Sequence, residues 1–112
     1  MECAKQLRSI IKQIDDDESV LDVGFASGHY LISIRNLNKI SKYTGYDATK
    51  KYIQSAKKVF NNDKNASFVN GDIYDLNLKA DIVFCCNVLH HLPDLKIPLN
   101  NLLKSFKKKL IM

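Results

Sequence analysis

The sequence predicts an α/β fold, in which a parallel β-sheet is covered by helices on both faces. Short apolar runs alternate along the chain with longer amphipathic runs, the pattern of strands joined by crossover helices. The run 80–86 is apolar on both faces apart from Asp81, as expected of an inner strand of a parallel sheet. Because crossover connections make neighbouring strands parallel, their carboxyl ends should meet at one edge of the sheet.

The first helix is predicted over residues 3–14. Its apolar residues recur three and four positions apart and define one face. They are Cys3, Leu7, Ile10, Ile11 and Ile14. Consecutive acids occupy 15–18, and the helix is expected to end before them because negative charge is unfavourable at a helix C-terminus.

The same alternation predicts the remaining elements. Strands are expected over 20–23, 42–46, 67–69 and 80–86, and helices over 28–38 and 49–60. The apolar face of the helix 49–60 is made of Tyr52, Ile53, Ala56, Val59 and Phe60. A loop or short helical turn is expected at 73–76. A last amphipathic helix is predicted from the spacing of Leu99, Leu102, Leu103, Phe106 and Leu110. The sequence of 110–112 resembles the beginning of a fifth strand.

The composition indicates a single globular domain, 1–112, of the soluble class. Hydrophobic residues make up 46% of the chain and charged residues 26%, both ordinary values for such a domain. The formal net charge of +5 comes mostly from lysines on predicted helix faces. Because no stripe of arginines interleaved with aromatic residues occurs, the sequence does not favour a nucleic-acid partner.

The cysteines and the apolar segments predict a cytoplasmic location. The cysteine count is odd, and two of the three are adjacent, which argues against a disulfide framework and for a reducing compartment. The longest uncharged stretch, 82–92, is too short to span a bilayer, and the N-terminus has no signal-peptide pattern. No membrane partner is therefore expected.

The segment Ser19–Gly28 is the strongest indication of a binding site. A buried strand runs into a loop of small residues, including Gly24, Ala26 and Gly28, and a helix follows. Such a loop lets backbone N–H groups approach a ligand closely at a helix N-terminus. We therefore expect this loop to hold a cofactor that contains adenosine.

Polar residues follow each of the predicted strands at the same edge of the sheet. Asp47, after the second strand, is placed to accept both ribose hydroxyls, because a carboxylate has two acceptor oxygens. Asp72 and the backbone of Ile73, after the third strand, are predicted to contact the adenine amino edge. The main-chain carbonyl of Asn87, after the fourth, is predicted to hold an ammonium group.

Four segments of the chain resemble the motifs of the class I S-adenosylmethionine-dependent methyltransferases. Val20-Leu-Asp-Val-Gly-Phe-Ala-Ser-Gly28 resembles the first motif, and Gly45-Tyr-Asp47 resembles the acidic second motif. Asn70-Gly-Asp72 is similar to the third. Asp81-Ile-Val-Phe-Cys-Cys-Asn-Val-Leu-His-His-Leu-Pro-Asp94 is similar to the fourth, in the form common among small-molecule methyltransferases. The resemblance covers residues 18–112, with the motifs in order.

The resemblance implies a Rossmann-like parallel sheet in the order 3-2-1-4 and S-adenosylmethionine (SAM) as the cofactor. It also implies which residues bind that cofactor. These are Asp22, Gly24, Phe25, Ala26, Gly28, Asp47, Ala48, Asp72, Ile73 and Asn87. The family fold has seven strands in the order 3-2-1-4-5-7-6, so by comparison this chain is expected to lack the C-terminal strands.

The chain departs from the family pattern at the cofactor loop and at the acidic motif. Ala26 stands where the family has its middle glycine, so an added methyl group occupies the point of closest approach. The residue after the second-motif acid usually packs on the adenine ring; here it is Ala48, which offers a small contact area.

Histidines and cysteines in the fourth motif have both chemical and structural interpretations. His90 or His91 is a candidate general base for a substrate hydroxyl or amine, with local packing as the alternative. A metal site is disfavoured because adjacent strand residues such as Cys85 and Cys86 point to opposite faces.

The leading hypothesis is methyl transfer from SAM to a small-molecule acceptor. The alternative is a non-catalytic SAM-binding or assembly module. An apolar fourth strand, with at most the start of a fifth beside it, leaves a sheet edge that a partner chain, a second copy or further sequence would cover. A nicotinamide-dependent oxidoreductase is disfavoured, since the spacing of Gly24 and Gly28 does not fit G-x-G-x-x-G.

Overall fold

The computed structural model describes residues 2–86 and 88–112, leaving aside the side chains of residues 2–6 and of His90. The described helices are Glu2–Lys12 (α1), His29–Asn36 (α2), Lys50–Val59 (α3) and Lys96–Ser105 (α4). The described strands are Val20–Val23 (β1), Tyr43–Asp47 (β2), Ala66–Asn70 (β3), Ala80–Phe84 (β4) and Phe106–Ile111 (β5). Single 3₁₀ turns occur at Ile73–Asp75 and Leu89–His91.

The strands form one parallel sheet in the order β3-β2-β1-β4-β5. The predicted α/β class and the order 3-2-1-4 are therefore confirmed. β1 is central, with β2 paired on one side and β4 on the other. The strand order reverses at β1, and in open parallel sheets this is where ligands bind, beyond the carboxyl ends of the strands.

Buried side chains form one apolar cluster on each face of the sheet. Val20 faces the cluster that α1, α2 and α3 cover, and Leu21 faces the one that α4 covers, because successive strand residues point to opposite sides. Ile34 of α2 and Leu102 of α4 are fully buried in these two clusters. Helices on both faces, as predicted, therefore enclose the sheet.

The C-terminal segment confirms the predicted fifth strand, but this strand begins earlier than expected, at Phe106. Phe106 and Leu110 were expected on the last helix, but α4 ends at Ser105 and both residues belong to β5, packed on the α4 side. Their spacing of four fits one face of a helix and also one face of a strand. The register between β4 and β5 shifts after Ala80, with one extra residue in β5.

The fifth strand also corrects the expectation of an exposed fourth strand. β5 pairs along β4 from Ala80↔Phe106 to Phe84↔Ile111, so β4 is an inner strand. The outer strands of the sheet are β3 and β5. Burial of both faces of β4 explains why its sequence is apolar apart from Asp81, which is half-buried and accepts the Ser19 N–H.

The apolar face of α3 is narrower than predicted. Ile53 and Ala56 are buried and Phe60 is half-buried, but Val59 is 70% exposed and Tyr52 is 43% exposed. The reason is that α3 packs against β2 and the outer strand β3, so part of its apolar stripe extends beyond the sheet. In the described part of the chain, no helix has the length and hydrophobicity needed to cross a membrane.

Candidate functional site

A cavity of about 570 Å³ lies at the carboxyl ends of β1, β2 and β3. This volume is within the usual range of small-molecule sites. Its wall includes the loop after β1, the residues after β2 and β3, and the 3₁₀ turn after β4. Seven predicted cofactor residues line it: Gly24, Phe25, Ala26, Asp47, Ala48, Asp72 and Ile73.

The glycines of the loop are required by the backbone and by packing within the protein. Gly24 (φ 74°) and Gly28 (φ 80°) have left-handed conformations, which favour glycine. A Cβ on Gly24 would collide with the side chain of Val88, and one on Gly28 would lie 3.0 Å from the ring of Phe60. These two positions therefore need glycine with or without a ligand.

Phe25 anchors the loop in the apolar core. Its ring is buried and lies 5.4 Å from the ring of Phe68 in β3, between centroids. Phe68 also packs against Phe60 at 5.7 Å and against Tyr43 at 6.2 Å. Each such aromatic pair contributes about 0.5–1.5 kcal/mol beyond area burial. The loop is thus held by the sheet on its inner side and lines the cavity with its outer side.

Ala26 has a left-handed backbone conformation although it is not a glycine. Its φ is 50°, it is exposed, and it lines the cavity. Its N–H donates to Oδ2 of Asp47 over 3.1 Å. For a residue with a Cβ this conformation costs about 1–2 kcal/mol, so the surrounding contacts must hold it.

Asp47 connects the loop after β1 to the start of α3. Its Oδ2 accepts the Ala26 N–H, and its Oδ1 accepts the Thr49 N–H over 2.9 Å. The Asp47 main-chain oxygen accepts bonds from the Asn70 side-chain amide and the Gly71 N–H, both over 3.0 Å. Because a carboxylate oxygen has two acceptor positions, each oxygen of this 9%-exposed side chain retains capacity for a ligand donor.

The end of β3 is tied to β2 through Tyr46. The Tyr46 hydroxyl donates to the main-chain oxygen of Asp72 over 2.8 Å, and a Cβ on Gly71 would collide with its ring. Asp72 caps the following 3₁₀ turn, with Oδ1 accepting the Tyr74 N–H over 3.0 Å. The exposed Asp72 carboxylate and the buried Ile73 therefore have fixed positions on the cavity wall.

Two predicted cofactor residues, Asp22 and Gly28, do not line the cavity. Asp22 is 2% exposed, and its Oδ2 accepts the Tyr43 hydroxyl over 2.6 Å. Burial raises the pKa of Asp22 to about 7; the Tyr43 hydrogen bond acts against this rise and the Asp47 charge adds to it. Asp22 shares a face of β1 with Val20, so its side chain lies under the helices instead of at the edge.

The turn after β4 contributes Val88, His91 and Leu92 to the cavity wall. The His91 N–H donates to the Val88 main-chain oxygen over 3.1 Å. His91 thus lies at the predicted edge of the sheet. Asn87 and the His90 side chain lie outside the described residues, so their predicted roles remain predictions.

Several cavity residues were not predicted from the sequence. They come from the first turns of the two helices that follow β1 and β2. They are His29, Tyr30, Thr49 and Tyr52. The signal was their position: a helix that starts at the ligand edge of a parallel sheet turns some of its first residues toward the ligand.

The adjacent cysteines lie on opposite faces of the sheet, as predicted. Cys85 is buried in the cluster on the α4 side, and Cys86 packs against the other cluster. Burial raises the pKa of the Cys85 thiol to about 12, which makes it unreactive at neutral pH. Among the side chains that the structure describes, no group of three or more His, Cys, Asp or Glu is arranged to hold a metal ion.

Comparisons with known proteins agree with this architecture. A family model described as a methyltransferase domain matches residues 14–112. The release factor glutamine methyltransferase of Fusobacterium nucleatum is 28% identical over 87 residues, which is 73% of this chain and 23% of that protein. The chain therefore spans less than a quarter of the length of this curated relative.

Three solved structures with the same fold have chains roughly twice as long as this one. The Bacillus subtilis YcgJ protein superposes with a TM-score of 0.77 and 23% identity, over 93% of this chain and 47% of that one. A SAM-dependent methyltransferase from Aquifex aeolicus gives a TM-score of 0.73 and 21% identity, over 93% and 57%. A third structure is a Haloferax volcanii complex between the Trm112 methyltransferase activator and a candidate methyltransferase. A chain of this complex superposes with a TM-score of 0.79 and 23% identity, over 93% of this chain and 46% of that one.

The family match covers most of the chain, and its fold superposes on those of the solved structures. The resemblance noted in the motifs is thereby confirmed. The chain belongs to the methyltransferase-domain family and has the Rossmann-like fold of the SAM-dependent methyltransferases.

Proposed function

We propose that this chain binds SAM in the cavity at the ends of β1, β2 and β3 and serves in methyl transfer to an acceptor. The observation that carries the proposal is the Asp47 carboxylate. It lines a cavity beside the glycine loop, and two main-chain N–H groups hold it in one orientation. A carboxylate fixed in this way is suited to a ribose with two adjacent hydroxyls.

The other cavity residues suit the remaining parts of an adenosine cofactor. Asp72 and the backbone of Ile73 are assigned to the amino edge of adenine, and Ala48 and the apolar side chains beside it to the ring faces. His29 and Tyr30, at the start of α2, are assigned to the amino-acid end. Asn87 keeps its predicted role as an ammonium acceptor.

When bound, SAM supplies a methyl group on a sulfonium, so an acceptor lone pair forms the new bond to carbon while the carbon–sulfur bond breaks and leaves a neutral thioether. The residues of this chain orient the two reactants and exclude water between them, which can lower the barrier by several kcal/mol. His91 is assigned as the base for an acceptor that must lose a proton.

The acceptor is proposed to be a small molecule. The form of the fourth motif supports this class. The Fusobacterium relative is named for methylation of a release factor glutamine, which is a protein acceptor, but it shares only 23% of its length with this chain. A glutamine-containing peptide is therefore the appropriate comparison in an acceptor assay.

A second candidate is a SAM-binding module that requires a partner chain for activity. It is supported by the Haloferax neighbour, which comes from a complex with an activator protein. The outer strands β3 and β5 are the edges available to a partner chain, and β3, which has no charged side chain, is the edge available to a second copy.

Isothermal titration calorimetry with SAM, S-adenosylhomocysteine and NAD⁺ tests the cofactor proposal. We expect the first two to bind with one site per chain, and NAD⁺ to bind far more weakly. Absence of heat from SAM and S-adenosylhomocysteine at millimolar concentration would contradict the proposal. Sedimentation velocity and transfer of labelled methyl groups from SAM then separate the two candidates: a SAM-binding monomer without transfer activity supports the partner-dependent module.

A further inference from the structure

A second cavity, of about 390 Å³, lies between α1 and α2 on the face of the sheet that carries α3. This volume is sufficient for a small organic molecule. None of the residues assigned to the ribose or to the adenine lines it. The two helices form its walls, and the two walls differ in chemistry.

The wall from α2 is mixed: it carries three exposed polar side chains beside Tyr30 and Leu37. His29, Ser33 and Asn36 follow one another at positions i, i+4 and i+7, which places them in one stripe along the helix. The buried residues of α2, Leu31 and Ile34, lie off this stripe. An imidazole, a hydroxyl and an amide therefore present several hydrogen-bond donors and acceptors to one small space.

The wall from α1 is apolar with one cation. Leu7 and Ile11 are one helical turn apart and pack against the core, and Arg8 lies beside them. Among the described side chains that line this cavity, Arg8 carries the one full positive charge, and none is acidic. A guanidinium over an apolar wall is complementary to a ligand with an apolar body and an anionic group.

The α1–α2 cavity adjoins the cofactor cavity at His29 and Tyr30. Both residues belong to the walls of the two cavities. The Tyr30 ring packs on Phe84 at the end of β4, with centroids 5.1 Å apart, so the core fixes its position. A molecule in the α1–α2 cavity therefore borders the part of the cofactor cavity that His29 and Tyr30 line.

We propose that the α1–α2 cavity binds the non-reacting part of the methyl acceptor, and that this acceptor is a small organic acid with an apolar body. Its anionic group lies toward Arg8, its polar substituents face Ser33 and Asn36, and its reacting end points past His29 and Tyr30 into the cofactor cavity. This inference rests on the proposed function, since it names the substrate class of the same reaction.

Benzoate is the probe for this site, and benzamide is its neutral counterpart of the same shape. Both are titrated into ¹⁵N-labelled protein, with and without S-adenosylhomocysteine, and amide shifts are followed by NMR. We expect benzoate to shift amides of 7–12 and 29–37, and benzamide to bind at least fivefold more weakly. Shifts elsewhere, equal affinity for the two probes, or no shifts at millimolar benzoate would overturn the inference.

Two variants and one control test the walls. Arg8→Gln should weaken benzoate at least fivefold, because it removes a charge-assisted hydrogen bond. Ser33→Trp should abolish benzoate binding by filling the space. It tests the site even if Arg8→Gln does not fold. Lys12→Gln removes another cation of α1 that does not line the cavity, and benzoate affinity should stay unchanged.

Affinity for S-adenosylhomocysteine separates the inference from the proposed function. Neither Arg8 nor Ser33 lines the cofactor cavity, so both variants should bind this ligand like the unmodified chain. Binding of S-adenosylhomocysteine without any benzoate response refutes the acceptor site alone. Loss of S-adenosylhomocysteine binding in the unmodified chain refutes the proposed function itself.

Discussion

The carboxyl ends of β1 and β2 each carry an aspartate, and the two aspartates have opposite environments. Asp47 is the last residue of β2, lines the cavity, and has both oxygens bonded to main-chain N–H groups. Asp22 lies one residue before the end of β1, under the helices, where its partner is the Tyr43 hydroxyl. A one-residue difference in position along a strand therefore separates an acid that lines the cavity from one that lies under the helices.

Of the two aspartates, Asp47 is expected to have the largest effect on SAM affinity. Asp47→Ala removes two acceptor oxygens for the ribose and releases the Ala26 and Thr49 N–H groups. We expect SAM affinity to fall by about 3–6 kcal/mol, that is at least hundredfold, measured by calorimetry. Asp17→Ala, an exposed acid far from the cavity, is the control and should bind normally. Unchanged affinity of Asp47→Ala would refute the assigned ribose contact.

The buried acid should instead control how stability depends on pH. The folded state raises the pKa of Asp22 to about 7, against about 4 in an unfolded chain, so between these values the folded state holds more protons. The free energy of unfolding should therefore fall as pH rises through this window, by on the order of a few kcal/mol, and level off above it.

Asp22→Asn isolates this contribution, because it has the same shape and no titration. Urea unfolding of both proteins from pH 4 to pH 8 should give curves that diverge in favour of the variant as pH rises. Contributions from Glu18 and Asp81, whose hydrogen bonds lower their pKa values, are common to both proteins and cancel in the difference. Parallel curves would contradict the raised pKa of Asp22.

Tyr43→Phe tests the environment of Asp22 by removing the hydroxyl that donates a hydrogen bond to it. The Tyr43 hydroxyl stabilises the charged form of Asp22, so its removal should raise the Asp22 pKa further and cost about 1–3 kcal/mol above neutral pH. At pH 5, where Asp22 is mostly protonated, the cost should be smaller. A destabilisation that is equal at both pH values, measured by urea unfolding, would refute the pairing as its cause.

The smallest effect is expected at Ala26, in the loop between the two acids. Ala26→Gly removes the strain of a left-handed residue with a Cβ, which stabilises the folded state. It also adds backbone freedom to the unfolded chain, which offsets part of this gain. The free energy of unfolding should therefore rise, by under about 1 kcal/mol. Gly24→Ala is the matched opposite, and it should destabilise through its φ of 74° and its collision with Val88. Differential scanning calorimetry measures both, and a destabilised Ala26→Gly variant would contradict the strain.

The sequence predicted those parts of the site that depend on strand order. Asp47, Asp72 and Ile73 line the cavity because residues that follow parallel strands share one edge, and this can be read from alternating patterns. The location of Asp22 depends on which helices cover its face of β1, and a pattern within one strand does not contain that information. His29 and Tyr52 were not predicted either. Their positions at helix starts were a signal, but which side chains of those first turns face the cavity is set by tertiary packing.

The C-terminal segment shows a different limit of prediction. Phe106 and Leu110 lie four positions apart, a spacing that suits both a helix and a strand. Pairing with β4 decides between these states, because an apolar inner strand gains a hydrogen-bonded neighbour. Pairing between distant segments cannot be predicted from the residues of one short segment.

The lysines of β5 affect how the molecule behaves at high concentration. β5 is an outer strand, and its exposed Lys107, Lys108 and Lys109 stand where a second copy would have to pair. Two such strands side by side would bring like charges together, which opposes growth of the sheet from chain to chain. β3 has no charged side chain, so the two edges of one sheet differ in resistance to fibril-like association. Added salt, by screening the lysines, should reduce that difference.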